Sequence, residues 1–381
     1  MEQPRPFIDY YTRHAISPVA QNISELPRHF QTRDALYRHL GIPPRLVRGT
    51  SVIEFGPGSG HNSIFTQSLE PRRYVLVDAN PTGIGRTKSL LAEYRRGGAE
   101  PEIIQSMIQE FRCEERFDLV LCEGVIPTQR EPAAFLRHVA SFAAPGGVVV
   151  MTCVDGVSYL SELLRRLLAR ALTQDGELLE ERVSRLLPVF GPHLDLLPGM
   201  TRSHSDWIVD NLLQPFHGPL FPFGEAVETL KDAFSPLGSS PRFLRDWRWH
   251  KNIHGPERMR TWEFAIHDYQ ANVHSLLDCR DSFPPRTPAD NRTLLRLCDR
   301  VCDEVYRFSE TGSRSHLIAV SDLVRELVPV VGAFSPRTSS AMADYNSALK
   351  RFIASGTPGD FGAFAPWFGR GQQYLSFIRE A

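Results

Sequence analysis

The residues best placed to do chemistry form one run, Glu54-Phe55-Gly56-Pro57-Gly58-Ser59-Gly60-His61-Asn62. Glycines at alternate positions let the backbone turn sharply and approach a ligand where any Cβ would intrude. A helix beginning just beyond would turn its unpaired N–H groups toward a carboxylate. The same turn would also serve a dinucleotide enzyme or a plain strand-to-helix corner. Three details narrow the choice. The spacing is Gly-x-Gly-x-Gly rather than Gly-x-Gly-x-x-Gly, and Glu54 stands two positions before the first glycine. Asp78 also closes the next apolar run, where a carboxylate can accept both hydroxyls of a ribose.

These groups need a frame, and residues 51–156 supply its pattern. Short apolar runs alternate there with helical periods, as in a parallel sheet wrapped by helices. The runs are 52–55, 74–77, a weaker one at 102–105, 117–121 and 147–152, the last launched by Pro145-Gly146-Gly147. Segments 83–96 and 132–143 between them read as helices. Beyond 156 the texture becomes Leu-, Arg- and Glu-rich, with Arg165, Arg166 and Arg170 expected on the wet side of a helix. A helix over 224–234 and a strand near 240–244 are expected to finish the sheet. The expectation is therefore an α/β fold: a doubly wound, mostly parallel, seven-stranded-type sheet with a helical insertion and a helical C-terminal region. Its parts are an N-terminal helical lid (1–50), a core (51–156 and 223–256), an insertion roofing a site (157–222) and a helical region (257–381).

With the motifs in this order, the chain resembles the class I (Rossmann-like) S-adenosylmethionine-dependent methyltransferases over 51–156. The resemblance includes Phe117-Asp118-Leu119-Val120 followed by Cys122-Glu123-Gly124, and Pro145-Gly146-Gly147 before the fifth strand. It implies S-adenosylmethionine as cofactor, with Glu54, Gly56, Pro57, Gly58, Gly60 and Asn62 around its methionine end. Asp78 would hold the ribose, with Ala79 and Asn80 beside it. Ser106, Met107 and Ile108 would flank the adenine, and Cys122 and Glu123 would complete the cofactor site. Ser106 is a departure, since an acidic residue is common at that position in the family.

The acceptor side is less specific. Methyl transfer needs in-line alignment, exclusion of water and, for a hydroxyl acceptor, removal of a proton. Glu123 lies near the acceptor by topology, and reads equally as a contact to the cofactor amine or a helix-start carboxylate. Tyr11 and His14, in Tyr10-Tyr11-Thr12-Arg13-His14, could close over the cofactor or pack on the sheet. His204, Trp207 and Asn211 could wall an acceptor pocket, while Ser205 or Asp206 could simply cap a helix. The candidates for catalysis are thus Glu123, His14, Tyr11 and His204. Those for substrate binding are Tyr11, His14, His204, Trp207 and Asn211. His250 with His254 and Cys298 with Cys302 are spaced by four, yet neither pair has further ligands, so no metal is expected. Trp247-Arg248-Trp249-His250 reads either as a strand with alternating faces or as pocket lining.

Composition sets the remaining bounds. Hydrophobic residues at 42% and charged residues at 23% are those of an ordinary globular protein. The 43 Lys+Arg against 44 Asp+Glu leave a formal charge of −1, which argues against nucleic acid or membrane as partner. Six scattered cysteines and an N-terminus without a signal-like apolar core suggest a cytoplasmic protein. The expected activity is methyl transfer to a small or medium organic acceptor in a roofed pocket; a homodimer stays open. The rival readings are an aminopropyl or aminocarboxypropyl transferase using the same cofactor, a catalytically inactive cofactor-binding interaction protein, and a nicotinamide-dependent oxidoreductase.

Overall fold

The computed structural model describes residues 6–14, 16–17, 21–174, 176–216 and 220–380. In chain order its strands are β1 (Ser51–Phe55), β2 (Arg73–Asp78), β3 (Glu102–Gln105), β4 (Phe117–Cys122), β5 (Ala143–Cys153), β6 (Phe234–Ser240) and β7 (Gln373–Arg379). The helices are α1 (Pro6–Arg13), α2 (Leu26–His39), α3 (Ser63–Ser68), α4 (Pro81–Tyr94), α5 (Pro132–Ala140), α6 (Leu160–Leu172), α7 (Leu179–Leu194), α8 (His204–Ile208), α9 (Phe223–Leu230), α10 (Thr261–Asn272), α11 (Pro288–Thr311), α12 (Arg314–Gly332) and α13 (Pro336–Ser355). The chain divides into two compact units, one of residues 1–153, 221–269 and 373–381, the other of 154–220 and 270–372.

The first unit is built on a single sheet of order β3-β2-β1-β4-β5-β7-β6. β1 to β5 are mutually parallel, and β7 runs antiparallel to both β5 and β6. Val52, Ile53 and Phe55 are wholly buried, as expected for strands covered on both faces. Each such side chain contributes about 1.5–3 kcal/mol by burial. One face packs Tyr37 of α2 with Val52, Phe65, Tyr74 and Leu121, and Phe55, Phe111 and Phe142 meet on another.

The end of the sheet differs from the expectation. The strand placed at 240–244 is instead β6 at Phe234–Ser240, and the seventh strand comes from the chain's last residues. Phe234-Ser-Pro-Leu-Gly-Ser-Ser240 has poor strand propensity, but β6 is an edge strand, where Pro236 breaks no ladder on its open side. The register shifts between Pro236 and Gly238. Gly238 has a packing role, since a Cβ there would lie 2.4 Å from the carbonyl carbon of Leu40, just past α2. Gln373-Tyr-Leu-Ser-Phe-Ile-Arg379 is rich in aromatic and branched residues, but its partner strand β5 is some 220 residues away. Trp247–His250 is an exposed loop and a short 3₁₀ turn, not a strand.

The second unit is helical, with α11, α12 and α13 inside the region 257–381 expected to be helical. Its α6 reverses a sequence expectation. Arg165 and Arg166 are buried rather than on the wet side. The Arg165 guanidinium lies over the rings of Phe364 and Phe368 at 4.5 and 3.9 Å. It donates to the carbonyls of Phe364 and Ala365 at 3.2 and 3.0 Å. Arg166 donates to the carbonyls of Gln214 and Asn211 at 2.7 and 2.6 Å. Backbone oxygens and aromatic faces thus replace the water these cations lose. All six cysteines are free, and no described helix is long and apolar enough to cross a membrane.

Candidate functional site

β1 delivers the glycine turn at the carboxyl end of the sheet, beside the end of β2. Gly56, Gly58 and Gly60 all adopt left-handed backbone, with φ of 71°, 59° and 80°. That conformation is nearly closed to residues with a Cβ. The turn is pinned from two sides. The Gly56 N–H donates to the Val77 carbonyl at 2.9 Å, and the Thr87 hydroxyl of α4 donates to the Gly58 carbonyl at 3.0 Å. Gly83 allows α4 to come this close, since a Cβ there would meet the Gly58 oxygen at 2.8 Å.

Asp78 faces this loop from β2. One carboxylate oxygen accepts from the Gly58 N–H at 3.3 Å and the other from the Asn80 N–H at 2.8 Å. Burial pushes its pKa up, against the lowering effect of these N–H groups. The carboxylate keeps acceptor capacity beyond these bonds, so it can accept from a ligand hydroxyl. Asn80 caps α4 through the Thr82 N–H, and its amide donates to the Ile16 carbonyl at 3.0 Å. Ser17 reaches Ser59 at 3.4 Å, so Ile16 and Ser17 lie beside the loop and beside Asn80. Ala79 and Met107 are half-buried nearby, and Ile108 is buried. The Ser106 hydroxyl donates to the Met107 carbonyl at 3.0 Å and does not replace the missing acid.

Glu54 points into the sheet's packing layer. The Ser63 hydroxyl donates to it at 2.9 Å, and the buried Tyr74 hydroxyl donates to its other oxygen. Burial lifts its pKa to about 7, in spite of those hydrogen bonds. The carboxyl therefore buttresses the turn from behind. Cys122, expected at the cofactor, is fully buried at the end of β4, and burial pushes its thiol pKa up. Its side chain is sheet packing.

Glu123 is the largest departure from the sequence reading. Arg33 of α2 grips it with two bonds of 2.8 and 2.6 Å, and Asn62 donates to it at 3.4 Å. Arg33 is only 5% exposed. Burial disfavours its charge, but the Glu123 carboxylate outweighs that and holds the pKa above the usual arginine range. A bidentate clamp fixes the position and orientation of the carboxylate. Glu123 thus ties α2 to the end of β4 and, through Asn62, to the glycine turn. Nothing in the sequence marked Arg33; its only signal is that it stands four residues before Tyr37, the other buried residue of α2.

Of the N-terminal candidates, Tyr11 is largely buried and meets Tyr10 edge-on at 5.5 Å, while Tyr10 meets His14 at 5.0 Å. Trp207 and Asn211 belong to the helical unit, where Trp207 packs edge-on against Phe368 and the Asn211 amide donates to the Trp207 carbonyl at 3.0 Å. His204 lies 3.5 Å from Asp195, and Ser203 rather than Ser205 or Asp206 caps α8. Among the described residues no three His, Cys, Asp or Glu side chains converge as metal ligands. A concavity of about 340 Å³ adjoins the glycine turn, lined by Ser59, His61, Gly85 and Arg86 among others.

Comparison with known proteins finds a family model described as a methyltransferase domain over residues 11–185. A ubiquinone biosynthesis O-methyltransferase from Azorhizobium caulinodans is 28% identical over 153 residues, 37% of this chain. The match spans about half of that relative, 53% of its length. Among solved structures, magnesium protoporphyrin IX methyltransferase from Synechocystis with bound S-adenosylhomocysteine aligns at TM-score 0.36 and 16% identity, covering 61% of this chain and 89% of that one. The N-methyltransferase NodS from Bradyrhizobium japonicum with S-adenosylhomocysteine aligns at 0.28 and 19% identity, covering 35% and 64%.

Proposed function

Because residues 11–185 form a methyltransferase domain of the class I, S-adenosylmethionine-dependent type, we propose that the protein methylates a small or medium organic acceptor. The observation that carries this is the pairing of three left-handed glycines with a buried carboxylate, Asp78, joined through the Gly58 N–H. The donor set fits the cofactor: a carboxylate for ribose hydroxyls, a turn free of Cβ atoms for the methionine end, and Ile108 with Met107 as apolar flanks for a base. The bound cofactor supplies a methyl group made electrophilic by the sulfonium charge.

In this reading Asp78 fixes the ribose and the turn sets the direction of the sulfonium. Alignment then supplies most of the rate. Glu123 serves as an anchor rather than a base, because Arg33 occupies its oxygens. Tyr11 and His14 are the groups proposed to close over the reacting centre, with His14 able to take a proton where the acceptor is a hydroxyl. An acceptor class of small molecules agrees with a chain whose net charge is −1 and which therefore lacks the electrostatic pull of a phosphate-tracking protein.

Calorimetry with S-adenosylmethionine, S-adenosylhomocysteine and NAD tests the cofactor assignment, with Asp78→Ala beside the wild type. Both nucleosides are expected to bind and NAD not to, with Asp78→Ala weakening binding at least about tenfold, some 1.4 kcal/mol. The nucleoside released on turnover then identifies the reaction. S-adenosylhomocysteine means methyl transfer, whereas methylthioadenosine would mean aminopropyl or aminocarboxypropyl transfer.

A further inference from the structure

The loop leaving β6 is unlike the rest of the surface. Trp247 is 93% exposed and Trp249 60% exposed. This display is enforced by the residue between them. Arg248 turns inward, with its guanidinium on Asp246 at 2.6 Å, on the Glu257 carbonyl at 2.6 Å and over the Phe264 ring at 4.5 Å. The chain bends at Arg248, and with that side chain anchored inward the two flanking indoles are the groups the loop exposes. The Asn252 and Ile253 N–H groups, donating to the Trp249 and His250 carbonyls at 2.8 and 3.1 Å, close the loop behind them.

Charge is uneven here too. Arg245 is matched by Asp268 and Arg248 by Asp246. Arg242 and Lys251 are exposed, and neither has a carboxylate partner among the described residues. Lys251 places its ammonium 4.9 Å over the Trp249 ring. The chain-wide charge of −1 conceals this local cationic excess. The loop also has a defined place in the fold. β6 and β5 are both antiparallel to β7, with Ser240 paired to Tyr374 and Cys153 to Gln373. It therefore leaves the sheet at the carboxyl end, the end that carries the glycine turn.

We propose that Trp247, Trp249, Arg242 and Lys251 form a peripheral docking patch for an anionic lipid bilayer. Indole rings, apolar in body with one N–H donor, favour the headgroup level of a membrane, and flanking cations add attraction to anionic lipid. Two weak signals of different kinds make reversible binding of the sort peripheral proteins use. A second copy of the chain fits less well. Two indoles bury roughly 300–500 Å², well under the roughly 800 Å² per partner of a stable interface. A single-stranded nucleic acid fits less well again, because two uncompensated cations are too few to track a phosphate backbone.

The test uses the full chain sedimented with vesicles of phosphatidylcholine alone or mixed equally with phosphatidylglycerol, and does not depend on methyl transfer. Binding is expected to the anionic vesicles only, to weaken with salt, and to shift tryptophan emission to the blue. Trp247→Ala with Trp249→Ala is expected to reduce it at least about tenfold, and Lys251→Glu with Arg242→Glu likewise, both with an unchanged melting profile because all four residues are exposed. The proposal is overturned if no vesicles bind or if either pair of substitutions leaves binding intact. Equal binding to the neutral vesicles, a concentration-dependent dimer abolished by the tryptophan substitutions, or displacement from vesicles by an oligonucleotide would overturn it as well.

Discussion

Replacing Arg33 by Met should cost more than any surface substitution in the sheet-containing unit, and the reason lies in what remains. The guanidinium is buried and makes two short bonds to Glu123. Without it the carboxylate stays in the same little-exposed place with only the 3.4 Å contact from Asn62. Removing one member of a buried pair costs about 3–5 kcal/mol, whereas replacing both by apolar groups of similar volume is often nearly neutral. The unit holds about 210 residues, so its unfolding entropy is about 0.4 kcal/mol/K and the loss amounts to a melting shift of roughly 7–11 °C. Arg33→Met with Glu123→Leu should recover most of it.

The assay is thermal unfolding by near-ultraviolet circular dichroism. Two compact units can melt separately, so the transition to follow is the one that S-adenosylhomocysteine raises. A drop below about 2 °C for Arg33→Met, or a double variant no better than the single, would refute the anchoring argument. Glu123→Gln supplies the discriminating arm. As an anchor, Glu123 is needed for stability and for the glycine turn, so the substitution should lower the melting point and cofactor affinity together. Loss of turnover with both unchanged would restore Glu123 as the base.

Three further outcomes follow from the site. Asp78→Asn keeps the shape but loses the charge-assisted acceptor proposed for the ribose, and calorimetry should find cofactor affinity lower by about 1.5–3 kcal/mol. Gly56→Ala forces a Cβ into left-handed backbone 2.5 Å from a Val125 methyl; it should destabilise the unit by more than about 2 kcal/mol in urea unfolding and abolish cofactor binding. Folded Glu54 holds its proton up to about pH 7, while in the unfolded chain it titrates near 4.5. The folded state thus binds more protons between those values, and Glu54's contribution makes stability fall as pH rises through that window and level off above it. In a urea series Glu54→Gln should gain on the wild type by about 3 kcal/mol from pH 4.5 to 7.5, and a constant difference would refute the buried-acid assignment.

The parts of the site legible in the sequence are those that local stereochemistry dictates. Gly56, Gly58 and Gly60 were readable because only glycine sits comfortably at φ near 60–80°, and Asp78 because it terminates an apolar run of fixed length. The first five strands were readable for the same reason. β7 was not, because it lacks a clean alternation and its pairing with β5 depends on residues more than two hundred positions apart. β6 was misplaced because an edge strand tolerates the Pro and Gly that argue against a central one.

Charged and aromatic residues were the least legible, and three of them explain why. Arg33 and Arg248 stand near aromatic residues in sequence and Arg165 stands among leucines, and the usual reading turns each to water. Instead Arg33 meets a carboxylate 90 positions away, Arg165 meets two backbone carbonyls and two rings about 200 positions away, and Arg248 meets its own loop. A buried cation needs several acceptors at once, and tertiary structure alone determines whether they converge. At Arg248 the anchored side chain sits at a bend, and its neighbours Trp247 and Trp249 are left exposed. The inverted placement therefore has one cause at all three positions: the acceptors available to each guanidinium outcompete the intrinsic preference of the side chain.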